Sequence, residues 1–325
     1  MRIASLTLLL SACASQGTSF YGGDDTPIDN GGGGSGACSL TAVTIAPVQP
    51  LIQLVVDGSG SMGQENINGG GTSKYGAVKK ALYDTGNGNV PVLTSYLGLA
   101  KFGATAYNNS NQCPTLYTSD CTISNGAGVK TAIDKLNNQF TGQDPIAKTL
   151  QAMAATPFAA TDTDPVRAVV IVTDGTANTC GNQGQDDSQN TFDAVDALYT
   201  LGVKTYIIGL EPDDGLGNFT TFQQTVADKG VGGAGGTTHT GDSQANLNAG
   251  YMAIFDELID CSFTTTETLD VNDASHGTVS YDGTALATSD WTIVDNHTIK
   301  LSTDKCAMYK AATTTPVITA SLCTD

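Results

Sequence analysis

Asp57, Ser59 and Ser61 occupy every second place in Asp57-Gly58-Ser59-Gly60-Ser61-Met62. Side chains that alternate along an extended segment face one way. One carboxylate and two hydroxyls on a common side are hard oxygen ligands. A divalent cation such as Mg²⁺ takes six of these in a near-octahedral shell and keeps some waters, and Ca²⁺ uses the same atom type. Two further carboxylates stand in comparable settings, Asp174 in Thr173-Asp174-Gly175 and Asp144 in Gln143-Asp144-Pro145. Each residue also has a plainer account. Ser59 and Ser61 suit turns in a Gly-rich loop, and Asp174 suits a turn before glycine. Asp144 suits a helix N-cap with Pro145 at the first helical position.

The elements that would position these side chains alternate. A nearly continuous apolar run from Leu51 to Val56 ends at Asp57, and a second from Val166 to Val172 ends at Thr173-Asp174. A third runs from Val203 to Leu210, and a weaker fourth from Tyr96 to Phe102. Such runs suit strands buried on both faces of a sheet. Between them, helical spacing links Tyr75, Val78 and Leu82 after Ser73. It also links Phe192, Val195, Leu198 and Tyr199, and then Leu247, Tyr251, Ile254 and Leu258. Strand and helix in alternation predict an α/β fold with a doubly wound, mostly parallel sheet. Ligands of such sheets sit beyond the C-terminal ends of strands. Asp57 and Asp174 are expected there.

With those elements in place, Asp57-Gly58-Ser59-Gly60-Ser61 resembles the Asp-x-Ser-x-Ser motif of von Willebrand factor type A domains. Thr173-Asp174-Gly175 is similar to the family's later Asp. Gly142 to Leu150 resembles its Gly-x-Thr-Pro-Ile segment, and Tyr96 to Phe102 its second-strand pattern. The motifs stand in the family's order over residues 38–261. The resemblance implies a metal-ion-dependent adhesion site holding Mg²⁺ or Ca²⁺ through Asp57, Ser59, Ser61 and Asp174. It also implies a role in adhesion or assembly.

One position departs from the pattern. The family has a ligating Thr where this chain has Asp144. Asp57, Asp144 and Asp174 together carry three negative charges, more than one divalent ion neutralises. The expectation is a site that binds its cation well and is less welcoming to an acidic group from a partner.

The first residues read as an export address. Arg2 precedes a short apolar run, and small residues follow before a cut. Leu10-Ser11-Ala12-Cys13 resembles a bacterial lipobox, which implies acylation of Cys13 and a lipid anchor in the cell envelope, at the outer membrane or cell surface. Residues 1–12 form the signal peptide in this reading. Residues 13–37, with Gly31-Gly32-Gly33-Gly34, form a flexible tether. Eight cysteines without CxxC or zinc spacing suit disulfides in an oxidising compartment. Cys38–Cys261, Cys113–Cys121 and Cys306–Cys323 are the expected pairs, with other pairings open and Cys180 left over.

After Cys261 the pattern becomes Thr-rich alternation, and residues 262–325 are expected to form a small β-rich module. Strands are predicted from Phe263 to Val271, Thr278 to Leu286, Trp291 to Leu301 and Pro316 to Cys323. A short helix is placed around Cys306, and Trp291 is expected as a core anchor. The segment Gly230 to Gly235 matches GxGxxG but lacks a following helix, so it reads as a loop.

The net charge is 14 − 32 = −18, from a deficit of bases. A nucleic-acid partner is excluded by repulsion from phosphate. His239, His276 and His297 are scattered, and no nucleophile–base pair is apparent, so catalytic residues and a dinucleotide site are read as none. The leading expectation is a non-enzymatic, lipid-anchored domain holding a protein or other extracellular macromolecule through its cation. An envelope component whose ion only stiffens loops is the alternative. A metal-dependent hydrolase ranks behind both.

Overall fold

Five neighbouring strands with C-terminal ends at one edge, plus one reversed strand, make the central sheet of this computed structural model. Described are residues 40–67, 71–108, 112–137, 139–140, 142–155, 166–180, 185–210, 218–269, 277–312 and 316–323. All fall within one compact unit, Cys38–Asp325. The strands are β1 (Leu40–Val43), β2 (Ile45–Pro47), β3 (Leu51–Asp57), β4 (Lys101–Asn108), β5 (Thr115–Ile123), β6 (Arg167–Thr173) and β7 (Val203–Gly209). They continue with β8 (His239–Thr240), β9 (Ser262–Thr265), β10 (Thr278–Tyr281), β11 (Thr284–Ala285), β12 (Trp291–Asp295), β13 (Thr298–Leu301) and β14 (Ile318–Cys323). The helices are α1 (Gly60–Gln64), α2 (Lys74–Leu82), α3 (Gly126–Asp134), α4 (Ile146–Ala155), α5 (Ser188–Thr200), α6 (Asn218–Gly230), α7 (Gln244–Leu258) and α8 (Thr303–Ala311).

The central order is β5-β4-β3-β6-β7-β8, with β5 antiparallel at one edge. The doubly wound, mostly parallel α/β sheet is thus confirmed. On β3, Ile52, Leu54 and Val56 face one core with Ala77, Val78, Tyr251 and Phe255. Leu51 and Val55 face the other, with Ile146, Leu150, Val195, Leu198 and Phe222. A strand covered on both faces buries every residue, and all seven of β3 are buried. Gln53 and Asp57 are the polar exceptions, and Gln53 is satisfied by donating to Thr105 Oγ1 at 2.8 Å and accepting from Cys121 Sγ at 2.9 Å.

The fourth strand lies further along than expected. Val92–Ser95 is a 3₁₀ turn, and backbone bonds from Tyr96 to Leu93 and from Leu99 to Tyr96 curl the chain. The strand begins at Lys101. Its inward positions Gly103, Ala104 and Ala106 are small, so the apolar signal is weak where the strand runs. It is strong in the packed turn before it, where Leu93, Tyr96 and Leu99 are buried.

The C-terminal residues form two four-stranded sheets, ordered β1-β14-β10-β11 and β12-β13-β9-β2. The turns at Asp282-Gly283 and Asn296-His297 close hairpins, α8 contains Cys306, and Trp291 is buried. Strand β1 pairs with β14 and β2 with β9, so residues ahead of the central sheet complete the small sheets. Their packing joins one cluster containing Leu258, Phe263, Trp291 and Leu322.

The disulfides correct all three expected pairs. Cys113 bonds Cys180 and Cys261 bonds Cys306, with Cα–Cα distances of 5.4 and 5.5 Å. Cys113–Cys121 fails because β5 extends the chain between them, at about 3.4 Å per residue. That exceeds the reach of a disulfide. Cys121 remains a thiol, bonded to Gln53. Cys38–Cys261 and Cys306–Cys323 fail because Cys261 and Cys306 take each other. Cys180, expected to be left over, is paired. Cys38 and Cys13 lie outside the described residues. Among the described residues, no helix is long and apolar enough to cross a membrane.

Candidate metal centre

Asp57 ends β3, where the parallel ladder delivers it to the upper edge of the sheet beside Tyr107. The chain must then turn sharply. A Cβ on Gly58 would sit 2.4 Å from the Tyr107 carbonyl oxygen, so only glycine fits. The Ser59 backbone N–H donates to Asp57 Oδ1 at 2.7 Å, and the Ser59 hydroxyl to Oδ2 at 3.2 Å. Ser61, in α1, donates to Asp174 Oδ1 at 2.9 Å and lies 3.2 Å from Ser59 Oγ. Asp174 follows β6, one strand over, and its neighbour Thr173 donates to Asp57 Oδ2 at 2.9 Å.

Asp144 reaches the same place. The first backbone bond of α4 runs from Thr149 N–H to Pro145 O. Pro145 therefore stands at the cap position, and Asp144 lies one residue outside the helix. Its backbone oxygen accepts from Ile146 and Asn178, which fixes the turn. One oxygen from each of Asp57, Asp144 and Asp174 lies within 4.8 Å of the others. All five residues read from the sequence as ligands are thus brought together around three loops.

Burial makes this cluster electrostatically costly. The Asp57 carboxyl is held well above its ordinary range by desolvation first and by the charges of Asp144 and Asp174 next. The Ser59 and Thr173 bonds oppose the rise. Asp144 is pushed up to about 6, again chiefly by burial, with Asp174 adding to it. Asp144 Oδ1 is buried with no hydrogen-bond partner among the described residues. A buried carboxylate oxygen without a donor costs free energy unless a cation is supplied. The donor set of carboxylates and hydroxyls therefore fits a hard divalent ion.

Lys74 was not legible as a site residue. It is the first residue of α2, and its Nζ donates to Asp174 Oδ2 at 2.9 Å and to Glu65 Oε2 at 2.5 Å. Its side chain is 2% exposed and that of Asp174 1%, whereas Glu65 is 54% exposed. The signal was present in the pattern. Lys74, Ala77, Val78 and Ala81 keep i, i+3, i+4, i+7 spacing, which puts a lysine on the apolar stripe of the helix. An open cleft of about 590 Å³ lies beside the loop after Asp174, lined in part by Thr176, Asn178, Asp186, Phe192 and Asn218.

Among solved structures, the pilus adhesin SpaC of Lactobacillus rhamnosus GG is 16% identical, with a TM-score of 0.49 over 84% of this chain and 39% of that one. The manganese-loaded TRAP protein of Plasmodium vivax is 15% identical, with a TM-score of 0.41 over 58% of this chain and 67% of that one. The von Willebrand factor domain of the type V pili tip protein of Porphyromonas gingivalis is 14% identical, with a TM-score of 0.47 over 65% and 95%. No curated protein sequence matches the chain. The family model of the von Willebrand factor type A domain matches residues 52–221, which hold Asp57, Ser59, Ser61, Asp144 and Asp174. The chain belongs to the von Willebrand factor type A domain family.

Proposed function

We propose that this domain holds one divalent cation, Mg²⁺ or Ca²⁺, through Asp57, Ser59, Ser61, Asp144 and Asp174. Through it the domain grips a protein or other extracellular macromolecule in adhesion or envelope assembly. The observation that carries the reading is the convergence of three carboxylates within 4.8 Å at the sheet edge. The unpartnered Asp144 Oδ1 supports it. When bound, the ion supplies a site for an oxygen ligand from outside the chain. Asp57 is held by Ser59 and Thr173, so it is oriented before any ion arrives.

Calorimetry with Mn²⁺, Mg²⁺ and Ca²⁺ tests the site. Asp57→Ala is expected to abolish measurable binding, and heat unchanged by that substitution would remove the metal reading. A pull-down from envelope extract with and without EDTA tests the partner. Capture lost in EDTA while the fold persists supports adhesion. The second reading, an ion that only stiffens the structure, is favoured by the three separate loops that the carboxylates tie together. It predicts unfolding in EDTA instead. Catalysis forms no part of this proposal, and turnover of a hydrolase substrate by the metal-loaded protein would count against it.

Export belongs to the same proposal. The two disulfides among the described residues suit an oxidising compartment. The signal at 1–12, acylated Cys13 and tether at 13–37 lie outside the described residues and rest on sequence. Cys13→Ser is expected to release the protein from the envelope, and unchanged retention would refute the anchor. The same proposal divides the chain into a head at 38–261 and a module at 262–325, whose two sheets are completed by β1 and β2 of the head's range.

A further inference from the structure

Lys74 stands where a lysine is unfavourable on three counts. It is buried, which costs a charge its hydration. It begins a helix, where the dipole disfavours positive charge. It also gives up the rotamer freedom of a long side chain. Lysine breaks the local rules of α2, and its compensation is the bond to Asp174. Glu65 shares the ammonium but is mostly solvated, so its charge is screened. The count at the site is then three carboxylates and one ammonium, a net −2.

We propose that Lys74 is the charge-compensating and specificity-determining residue of the site, offsetting Asp144 so that the ion stays receptive to an acidic group of the partner. Resting on the metal reading above, this reverses the expectation that three carboxylates make the site unwelcoming to acids. With a divalent ion bound, the sum is −3 + 1 + 2 = 0. Two carboxylates and a threonine in the same three places, with no lysine, give the same sum of zero. Lys74 also occupies Asp174 Oδ2, leaving Oδ1 to the serine hydroxyls and the ion.

The experiment is a double-mutant cycle at pH 8 on wild type, Lys74→Met, Asp144→Thr and both together. Mn²⁺ affinity is measured by calorimetry. Acetate is then titrated into the Mn²⁺-loaded proteins and followed by displacement of Mn²⁺-bound water in proton relaxation. Removing one like charge from beside a dication is expected to tighten Mn²⁺ by about tenfold or more in Lys74→Met and to weaken acetate by a similar factor. Asp144→Thr is expected to shift both in the opposite directions, and the double variant to return near wild type. Lys74→Arg, which keeps the charge, should rescue both readouts.

If Lys74→Met does not fold, the double variant carries the test, since it restores the same net charge. Mn²⁺ and acetate affinities of the double variant within about threefold of wild type support the proposal. Lys74→Met affinities within twofold of wild type overturn it, as does a double variant that behaves like Asp144→Thr alone. Wild type that takes up no Mn²⁺ refutes the metal reading itself, a separate outcome.

Discussion

At the site, the ionisable groups of Asp57, Asp144, Asp174 and Lys74 act on one another at short range and out of water. Asp144 gives this a pH signature. Its carboxyl sits at about 6 in the folded, metal-free protein, against about 3.9 in an unfolded chain. The folded state therefore binds this proton more tightly between those values. Stability of the metal-free protein is fullest below about pH 4 for this group and is lost as pH rises through 6. The shift of Asp57 has the same sign. A bound cation would replace the proton and remove the penalty. In EDTA the melting temperature is expected to be lower at pH 7 than at pH 5, and Asp144→Asn or saturating Mg²⁺ should shrink that difference. A difference left intact by both would assign it to other groups. The five residues that meet at the site could be read from residue type and order. Lys74 could not, because its role depends on a side chain from one loop meeting a carboxylate from another, a hundred residues on.

The elements were legible where burial is two-sided and blurred where side chains are small. β3, β6 and the second half of β7 are rich in Val, Ile and Leu, as strands covered on both faces are. β4 carries Gly103, Ala104 and Ala106, and small residues leave little periodic signal; a Cβ on Gly103 would meet Gln53 and Cys121 of the flanking strands. The disulfides were misread for a related reason. Spacing in sequence suggested short loops, whereas the pairs join distant elements. Cys113–Cys180 ties the chain entering β5 to the loop after β6, where Asp174 and Asn178 lie. A link that closes a loop with a separation of 67 residues contributes about 4 kcal/mol by restricting the unfolded chain. Cys113→Ser with Cys180→Ser is expected to lower stability by about that amount and weaken Mn²⁺ several-fold, because the loop carrying Asp174 loosens. A fall in stability with unchanged affinity would show that the link serves the fold alone.

Across the whole chain, the small sheets draw strands from both ends of the described residues. Val43, Phe263, Val279, Trp291, Ile299 and Leu322 share one core with the helices of the head. The thin β module predicted for residues 262–325 thus gains two strands and a neighbour, which small sheets need for stability. Deleting residues 38–47 is expected to expose the β14 and β9 edges and destabilise the C-terminal sheets while β3 to β7 persist. Hydrogen exchange resolves this, with protection lost in 262–323 and kept in the central sheet. Uniform loss of protection would instead make the two parts a single cooperative unit.

The pairing of β1 with β14 and of β2 with β9 also determines how the protein carries load. Tension entering the chain ahead of Leu40 meets the ladders β1–β14 and β2–β9 before it reaches β3. The outer sheets then yield first, and the strand that carries Asp57 is shielded. A pull from the N-terminal side is therefore absorbed at the far end of the fold from Asp57, Asp144 and Asp174, so the ligand cluster keeps its shape while its support stretches.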